Sequence, residues 1–231
     1  MGMKKIYIAL VIFCFGMTYA QIPKDKDKVV TLLEESKKAY ENTKAYSLSL
    51  RSVVYKDFDT QEVLEESQGV FIKYGQENYL KMSNGEAANL ETVTVKTDGD
   101  SKLIQIGKKN KQAELIYDLS GIVKNYSSFQ VVETSKEWIC TLEAEKIAST
   151  PYGKIKIYID KKTKYINRQI LYLYAAIPKS GKDYYPRIEM IFTDFTFLKE
   201  RPKQLELSHY VKKVNLKYTP SLYYAGYQII D

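Results

Sequence analysis

The sequence predicts a mainly β fold organised around an antiparallel meander between Ala45 and Leu103. Apolar residues such as Tyr46, Leu48 and Leu50 alternate there with polar or charged ones. A period of two places alternate side chains on opposite faces of a strand. Segments rich in glycine, asparagine and aspartate, which favour turns, interrupt the alternation at 57–60, 74–78, 83–89 and 98–100. One face of such a sheet is apolar, and a helix, a second sheet or a bound lipid must cover it.

The first 20 residues have the pattern of a secretory signal peptide. Two lysines precede the apolar run Ile6–Phe15, and a small–x–small ending leads to Ala20. These features are typical of a cleaved leader, although an uncleaved anchor is the alternative. We therefore expect residues 1–20 to be a signal peptide and residues 21–231 to form a single domain in the periplasm.

The charge pattern argues against a nucleic-acid partner. The chain carries 35 lysines and arginines against 28 acidic residues, a formal net charge of +7. Basic and acidic residues are interspersed, whereas nucleic-acid binding needs a basic patch or stripe. We expect an ordinary solvated surface and a monomer that binds no nucleic acid.

One amphipathic helix is predicted from about Asp27 to Lys44. Val29, Leu33 and Tyr40 recur at helical spacing, with charged residues between them. Because the helix has a single apolar stripe, it must dock on another element, and the apolar face of the meander is the expected partner.

The second half of the chain repeats the alternating pattern. Trp138, Cys140 and Leu142 share one face of a strand and are interpreted as core. A loop is expected at 178–182. The predicted strands are Ser127–Thr134, Glu137–Ala144, Lys154–Asp160, Tyr165–Ala176, Arg187–Phe197, an extended Leu205–Tyr218 and a short Tyr227–Asp231.

The residues needed for hydrolytic, metal or cofactor chemistry are not present in a recognisable pattern. The only histidine, His209, lies in a segment whose pattern predicts an extended strand, and Cys140 is the only cysteine outside the leader. One histidine and one cysteine cannot hold zinc, and neither a Gly–x–Ser–x–Gly elbow nor a glycine-rich phosphate loop occurs. The sequence therefore predicts a protein that is not an enzyme and has no cofactor and no metal.

The order of these parts resembles the outer-membrane lipoprotein carrier (LolA-like) family. An amphipathic helix precedes a first strand, Tyr46–Tyr55, and then Gln68–Lys73, which resembles the family's Gly–x–apolar–aromatic–x–Lys strand but has one residue fewer between Gly69 and Lys73. Val95–Gly99 ends in an Asp–Gly hairpin tip. Lys154–Asp160 and Ile188–Phe197 are similar to the family's closing hairpins.

The resemblance implies a curved antiparallel sheet, an open half-barrel, with the N-terminal helix and short helical segments lidding its concave face. It also implies a non-enzymatic carrier whose apolar cavity takes a lipid or the acyl chain of a lipoprotein, with an envelope protein partner left open. Such a cavity suits an acyl chain because each buried methylene contributes ~0.8 kcal/mol. The expected cavity residues are Leu48, Leu50, Val70, Ile72, Leu80, Ile155, Ile157, Ile170, Tyr172, Met190 and Phe192.

The sequence departs from the family at the residue that latches the lid. The family has an arginine directly after the lysine of the second strand, whereas here Lys73 is followed by Tyr74 and Gly75. Arg51, on the preceding strand, is interpreted as a residue of the solvent face. The family's release mechanism is therefore not carried over to this chain.

Tyrosine is unusually frequent and supports an alternative function. The chain has 21 tyrosines, among them the doublets Tyr184–Tyr185 and Tyr223–Tyr224. One ring of each doublet is expected to face outward, where tyrosine offers flat, amphipathic contact area. The alternative is therefore an exported β-rich adaptor or glycan-contacting module. Tyrosine also suits strands for structural reasons alone.

Overall fold

A computed structural model describes residues 22–109, 123–145, 150–179, 181–214 and 217–230. The predicted signal peptide lies outside the described residues. The first element is helix α1 (Ile22–Asn42), which agrees with the predicted helix and begins a few residues earlier. None of the helices described is both long and apolar enough to cross a membrane.

Two meanders follow the helix. The first consists of β1 (Ala45–Tyr55), β2 (Val63–Tyr74), β3 (Glu77–Met82), β4 (Gly85–Asn89), β5 (Val93–Asp98) and β6 (Leu103–Lys108). After a 3-10 turn at Val123–Asn125, the second consists of β7 (Ser128–Glu133), β8 (Glu137–Glu143), β9 (Tyr152–Asp160) and β10 (Ile166–Leu173). The alternating burial along β1 and β9 confirms the predicted period of two.

The remaining elements complete the sheet and cover it. They are β11 (Ile177–Lys179), β12 (Lys182–Tyr184), β13 (Arg187–Phe197), 3-10 turn Lys203–Leu205, helix α2 (Leu207–Tyr210), β14 (Val211–Val214), β15 (Lys217–Pro220), 3-10 turn Leu222–Tyr224 and β16 (Gln228–Ile230). Strands β11 and β12 form a hairpin, in which Pro178, Lys179 and Lys182 of the loop predicted at 178–182 are paired as strand residues.

Strand β13 joins the two meanders because it pairs with both β1 and β10. The result is one 12-stranded sheet in the order β16-β6-β5-β4-β3-β2-β1-β13-β10-β9-β8-β7. All its pairs are antiparallel except β16 with β6, and β16 and β7 form its two open edges. The predicted fold class is therefore confirmed: mainly β, with a large, open, curved sheet and an N-terminal helix.

The sheet has a core on each face, in different halves. On the face that α1 covers, called the α1 face, helix residues Val29, Leu32 and Leu33 pack with side chains of β1, β7, β8, β9, β10 and β13. On the other face, called the tail face, residues of β2–β6 pack under Leu205 and Tyr210 from the C-terminal segment. Because both faces of the sheet are covered at β2, its consecutive residues Phe71 and Ile72 are both buried, one on each face.

The loop between β1 and β2 also covers part of the tail face. The Arg187 guanidinium donates hydrogen bonds to the carbonyl oxygens of Asp57, Phe58 and Thr60 at 3.2, 2.6 and 2.8 Å. It lies over the Tyr55 ring, 4.0 Å from the centroid. This buried arginine fixes the loop by satisfying carbonyls that make no strand bonds.

Two local predictions are wrong. The segment expected to be a break at 83–89 contains strand β4, whose residues pair with both neighbours. The stretch from Leu205 to Tyr218, expected to be extended, contains helix α2, and His209 lies in that helix. The short helical turns of the C-terminal segment pack on the tail face, because their apolar residues complete the second core.

Candidate functional site

Helix α1 rests on an apolar wall, and its two ends are held differently. The C-terminal end is fixed by polar contacts. The Tyr40 hydroxyl donates to the carbonyl oxygen of Ile166 at 3.3 Å and accepts from the Ile166 amide at 3.1 Å. The hydroxyls of Thr43 and Tyr165 lie 2.7 Å apart. These bonds anchor the last turn of α1 to the start of β10.

Lys73 adds a further bond at the same end. Its ammonium group donates to the carbonyl oxygen of Tyr40 at 3.2 Å. The last four carbonyls of a helix have no partner within the helix, and a positive charge is favourable there. Lys73 therefore holds the end of the helix together with Tyr40 and Thr43, on a chain that lacks an arginine at the next position.

The middle and the N-terminal half of α1 are held mainly by packing. Lys164 forms an ion pair with Glu35, 3.0 Å between Nζ and Oε2. Nearer the N-terminus, Lys28 lies over the Trp138 ring at 4.3 Å and Lys26 over the Phe129 ring at 5.6 Å. Cation–π contacts of this kind at exposed sites contribute only about 0.5–1 kcal/mol each.

A pocket of about 250 Å³ opens beside the middle of helix α1. Its apolar lining comes from Val30 and Leu33 of α1 and from Val123 of the following 3-10 turn. Polar residues at the same site are Lys26, Glu34, Lys37 and Lys124. Three lysines against one carboxylate give the rim an excess of positive charge, although Lys37 also lies 3.7 Å from Glu41.

The structure divides the eleven expected cavity residues between the two faces of the sheet. Those in the α1-face core are Leu48, Leu50, Leu80, Ile155, Ile157, Met190 and Phe192. Val70 and Ile72 belong to the tail-face core. Ile170 and Tyr172 also lie on the tail face, where Phe58 contacts the Tyr172 ring edge-on at 5.3 Å.

A β-bulge causes the displacement of Ile170 and Tyr172. The pairing of β10 with β9 shifts between Ile166 and Arg168, so Ile166 and Leu171 both reach the α1 face. Ile170, between them, pairs with Lys156 on the other face. A shift of one residue reverses the face of every following side chain.

The α1 pocket itself uses residues that the sequence did not single out. Val30 and Lys26 lie at the edge of the helix's apolar stripe, and Val123 and Lys124 belong to a 3-10 turn. Among these residues only Val30 has a signal in the sequence, because it follows Val29 and widens the apolar stripe of the helix. Leu33, by contrast, belongs to the predicted apolar face of the helix.

The only histidine and the only cysteine outside the leader are packed among other side chains. Burial raises the pKa of the Cys140 thiol to about 12, so it stays protonated and unreactive. The His209 ring contacts the rings of Tyr210, Tyr223 and Tyr224, and burial lowers its pKa. Within the described ranges no three histidine, cysteine, aspartate or glutamate residues cluster as metal ligands.

Comparisons with known proteins give a likeness of fold. No protein-family model and no curated protein matches the chain. A LolA superfamily protein from Nitrosomonas europaea is 9% identical, with a TM-score of 0.35, and the match covers 76% of this chain and 96% of that one.

Two further solved structures have a similarly low sequence identity to this chain. An outer membrane lipoprotein-sorting protein domain from Vibrio parahaemolyticus is 8% identical, with a TM-score of 0.32, covering 74% of this chain and 94% of that one. An uncharacterized conserved protein from Thermus thermophilus is 8% identical, with a TM-score of 0.49, covering 88% and 98%. At these identities and TM-scores the likeness assigns this chain no family, ligand or activity.

Proposed function

We propose that this chain is a non-enzymatic carrier or binding protein that holds the acyl chain of a lipid or lipoprotein under helix α1. The observation that carries the proposal is the pocket of about 250 Å³ beside helix α1, with an apolar interior and a lysine-rich rim. Such a site suits an amphiphile, because the chain can enter the apolar part while an anionic head group stays at the lysines.

The pocket as it stands accommodates only part of a long chain. Its volume lies just below the range of about 300–1,000 Å³ that is typical of small-molecule sites. The wall behind it is packed, since Leu48, Leu50 and Ile157 are buried beneath the helix. We therefore propose that a long chain binds by displacing the N-terminal half of α1 while the end at Tyr40 remains attached.

The energies of displacement and binding are comparable for a long chain. Lifting Val29, Leu32 and Leu33 from the sheet exposes three buried side chains, at about 1.5–3 kcal/mol each. An acyl chain that takes their place contributes ~0.8 kcal/mol per methylene, so about ten methylenes offset the cost. Chains much shorter than this leave the helix in place.

The cellular setting is part of the proposal. The N-terminal pattern of two lysines, an apolar run and a small–x–small ending supports export to the periplasm by a cleaved signal peptide. Residues 21–231 would then act as one unit, a monomer that exchanges its lipid with an envelope protein.

Displacement of a fluorescent polyene fatty acid tests the proposal. We expect palmitate to displace the probe and octanoate to fail, because octanoate has too few methylenes to lift the helix. Val30→Trp fills the pocket and is expected to weaken probe binding about tenfold or more.

The matched control is Thr31→Trp, which places the same ring on the neighbouring exposed position of α1. Equal binding by wild type and Val30→Trp would count against the site. The absence of any probe binding to wild type would reject the function.

A further inference from the structure

We infer a second binding site, for a neutral sugar unit of a glycan, on the tail face of the sheet. A pocket of about 440 Å³ lies there, where the tips of the β3–β4 and β5–β6 hairpins meet the C-terminal segment. Its lining is polar and aromatic: Lys81, Ser83, Asn84, Glu86, Thr97, Gly99, Tyr223, Tyr224 and Tyr227. This site is separate from the α1 pocket and does not depend on the proposed lipid binding.

The floor of the pocket is a row of three side chains across adjacent strands. Lys81 pairs with Glu86 between β3 and β4, and Glu86 pairs with Thr97 between β4 and β5. The side chain of Glu86 is only 8% exposed, and its carboxylate lies 3.4 Å from the Lys81 ammonium. The two charges compensate each other, so the floor has polar groups but no excess charge for an ionic ligand.

One wall consists of the two hairpin tips, which are tied together. The Asn84 side-chain amide donates to an Asp100 carboxylate oxygen at 2.8 Å, and the Gly99 amide donates to the Asn84 carbonyl oxygen, also at 2.8 Å. A Cβ atom at Gly99 would lie 2.8 Å from that carbonyl oxygen, so this close approach requires glycine. The tips therefore form a fixed rim.

The opposite wall is aromatic and anchored to the floor. The Tyr224 hydroxyl donates to a Glu86 carboxylate oxygen at 2.6 Å, and its ring stacks on the buried Tyr210 at 5.5 Å. Burial, followed by the hydrogen bond to Glu86, raises the pKa of Tyr224, so the phenol remains a neutral donor. Tyr227 meets the Tyr224 ring edge-on at 5.0 Å.

Tyr223 is the exposed member of this wall. It is 63% exposed, yet the rings of His209 and Tyr224 hold it at 4.8 and 5.0 Å. A large aromatic ring that faces solvent but is already supported loses little conformational freedom when a ligand packs on it. Exposed, preorganised tyrosine is characteristic of contact surfaces.

The chemistry of the pocket favours a sugar over a lipid or an anion. A pyranose ring presents C–H groups on its flat side, which can stack on Tyr223, and hydroxyls on its edge. Carboxylate, ammonium, amide and hydroxyl groups from the floor and rim can pair with those hydroxyls, as donors or acceptors. The polar lining does not suit an acyl chain, and the ion pair leaves Lys81 without free charge for phosphate.

Saturation-transfer NMR with a defined panel tests this inference. The panel consists of methyl glycosides of glucose, galactose and mannose, together with chitotriose and, separately, inorganic phosphate. We expect at least one sugar to receive saturation, with its ring C–H protons strongest. Tyr223→Ala is expected to weaken binding about tenfold, the loss of one stacking contact of roughly 1.4 kcal/mol. Glu86→Gln is expected to weaken it as well.

Tyr185→Ala is the matched control, because Tyr185 is also an exposed tyrosine, between β12 and β13 and outside the pocket lining. The inference is overturned if no sugar of the panel binds, if only phosphate binds, or if the two alanine variants lose affinity equally. In the Tyr223→Ala variant, palmitate is expected to displace the fluorescent fatty acid as it does in wild type. Failure of the sugar site and failure of the lipid function therefore give different results.

Discussion

The bond from Lys73 to the end of α1 makes a measurable prediction about how the helix is held. In Lys73→Met the aliphatic part of the side chain remains, and the charged donor to the Tyr40 carbonyl is lost. A hydrogen bond from a charged donor contributes about 1.5–3 kcal/mol, and a cation at a helix C-terminus about 0.3–1 kcal/mol. The contact is 3.2 Å long, and the Thr43 amide still donates to the same oxygen, so the carbonyl is not left without a partner. We therefore expect a loss near the lower end, about 1–1.5 kcal/mol in the free energy of unfolding.

Urea denaturation followed by circular dichroism measures this loss, and amide hydrogen exchange locates it. Exchange should accelerate about tenfold in the last turn of α1. Lys38→Met is the control, since Lys38 is an exposed lysine of the same helix. If both variants lose the same stability, or if the last turn exchanges no faster in Lys73→Met, Lys73 does not hold the end of the helix.

Two further predictions concern buried groups under the helix. Ser36 is fully buried on α1 and its hydroxyl has no hydrogen-bond partner among the described residues, so Ser36→Ala should raise the free energy of unfolding by about 1 kcal/mol. Thr31→Ala, which removes an exposed hydroxyl bonded to the Asp27 carbonyl, should give a smaller gain in the same urea titration, that of helix propensity alone. Burial raises the pKa of Cys140 from 9.0 to about 12. The contribution of this thiol to the free energy of unfolding is therefore fully present below pH 9.0 and is lost as the pH rises toward 12, because the thiol ionises first in the unfolded chain. Cys140→Ala should show a shallower decline than wild type in urea melts across this range, and identical slopes would refute the linkage.

The strand pattern could be predicted from the sequence, whereas the faces could not. In β9 and in the first half of β1, up to Leu50, alternation identifies both the strand and its buried side, whereas the buried Val53 of β1 lies on the opposite face. In β10 the bulge after Ile166 reverses the face, and nothing in the residues around Arg168 marks it.

The tail-face core shows a second limit of the sequence. Phe71 and Ile72 are consecutive and both buried, because α1 covers one face and the C-terminal segment the other. Alternation predicts one buried face and cannot indicate that a segment more than a hundred residues later covers the second. The same tertiary packing turns the segment around His209 into a helix, which its local pattern does not show.

The pairing of β1 with β13 has a consequence for how the chain reaches this structure. Each meander can form from hairpins between neighbouring strands, and such local pairings close short loops quickly. The junction between them is different, since it brings Tyr46 opposite Phe197. Closing so long a loop costs entropy before any contact compensates it, so joining the meanders is expected to be the slow step of folding. Until it occurs, β1 and β13 present unpaired edges, and the newly made protein is at its most vulnerable to aggregation.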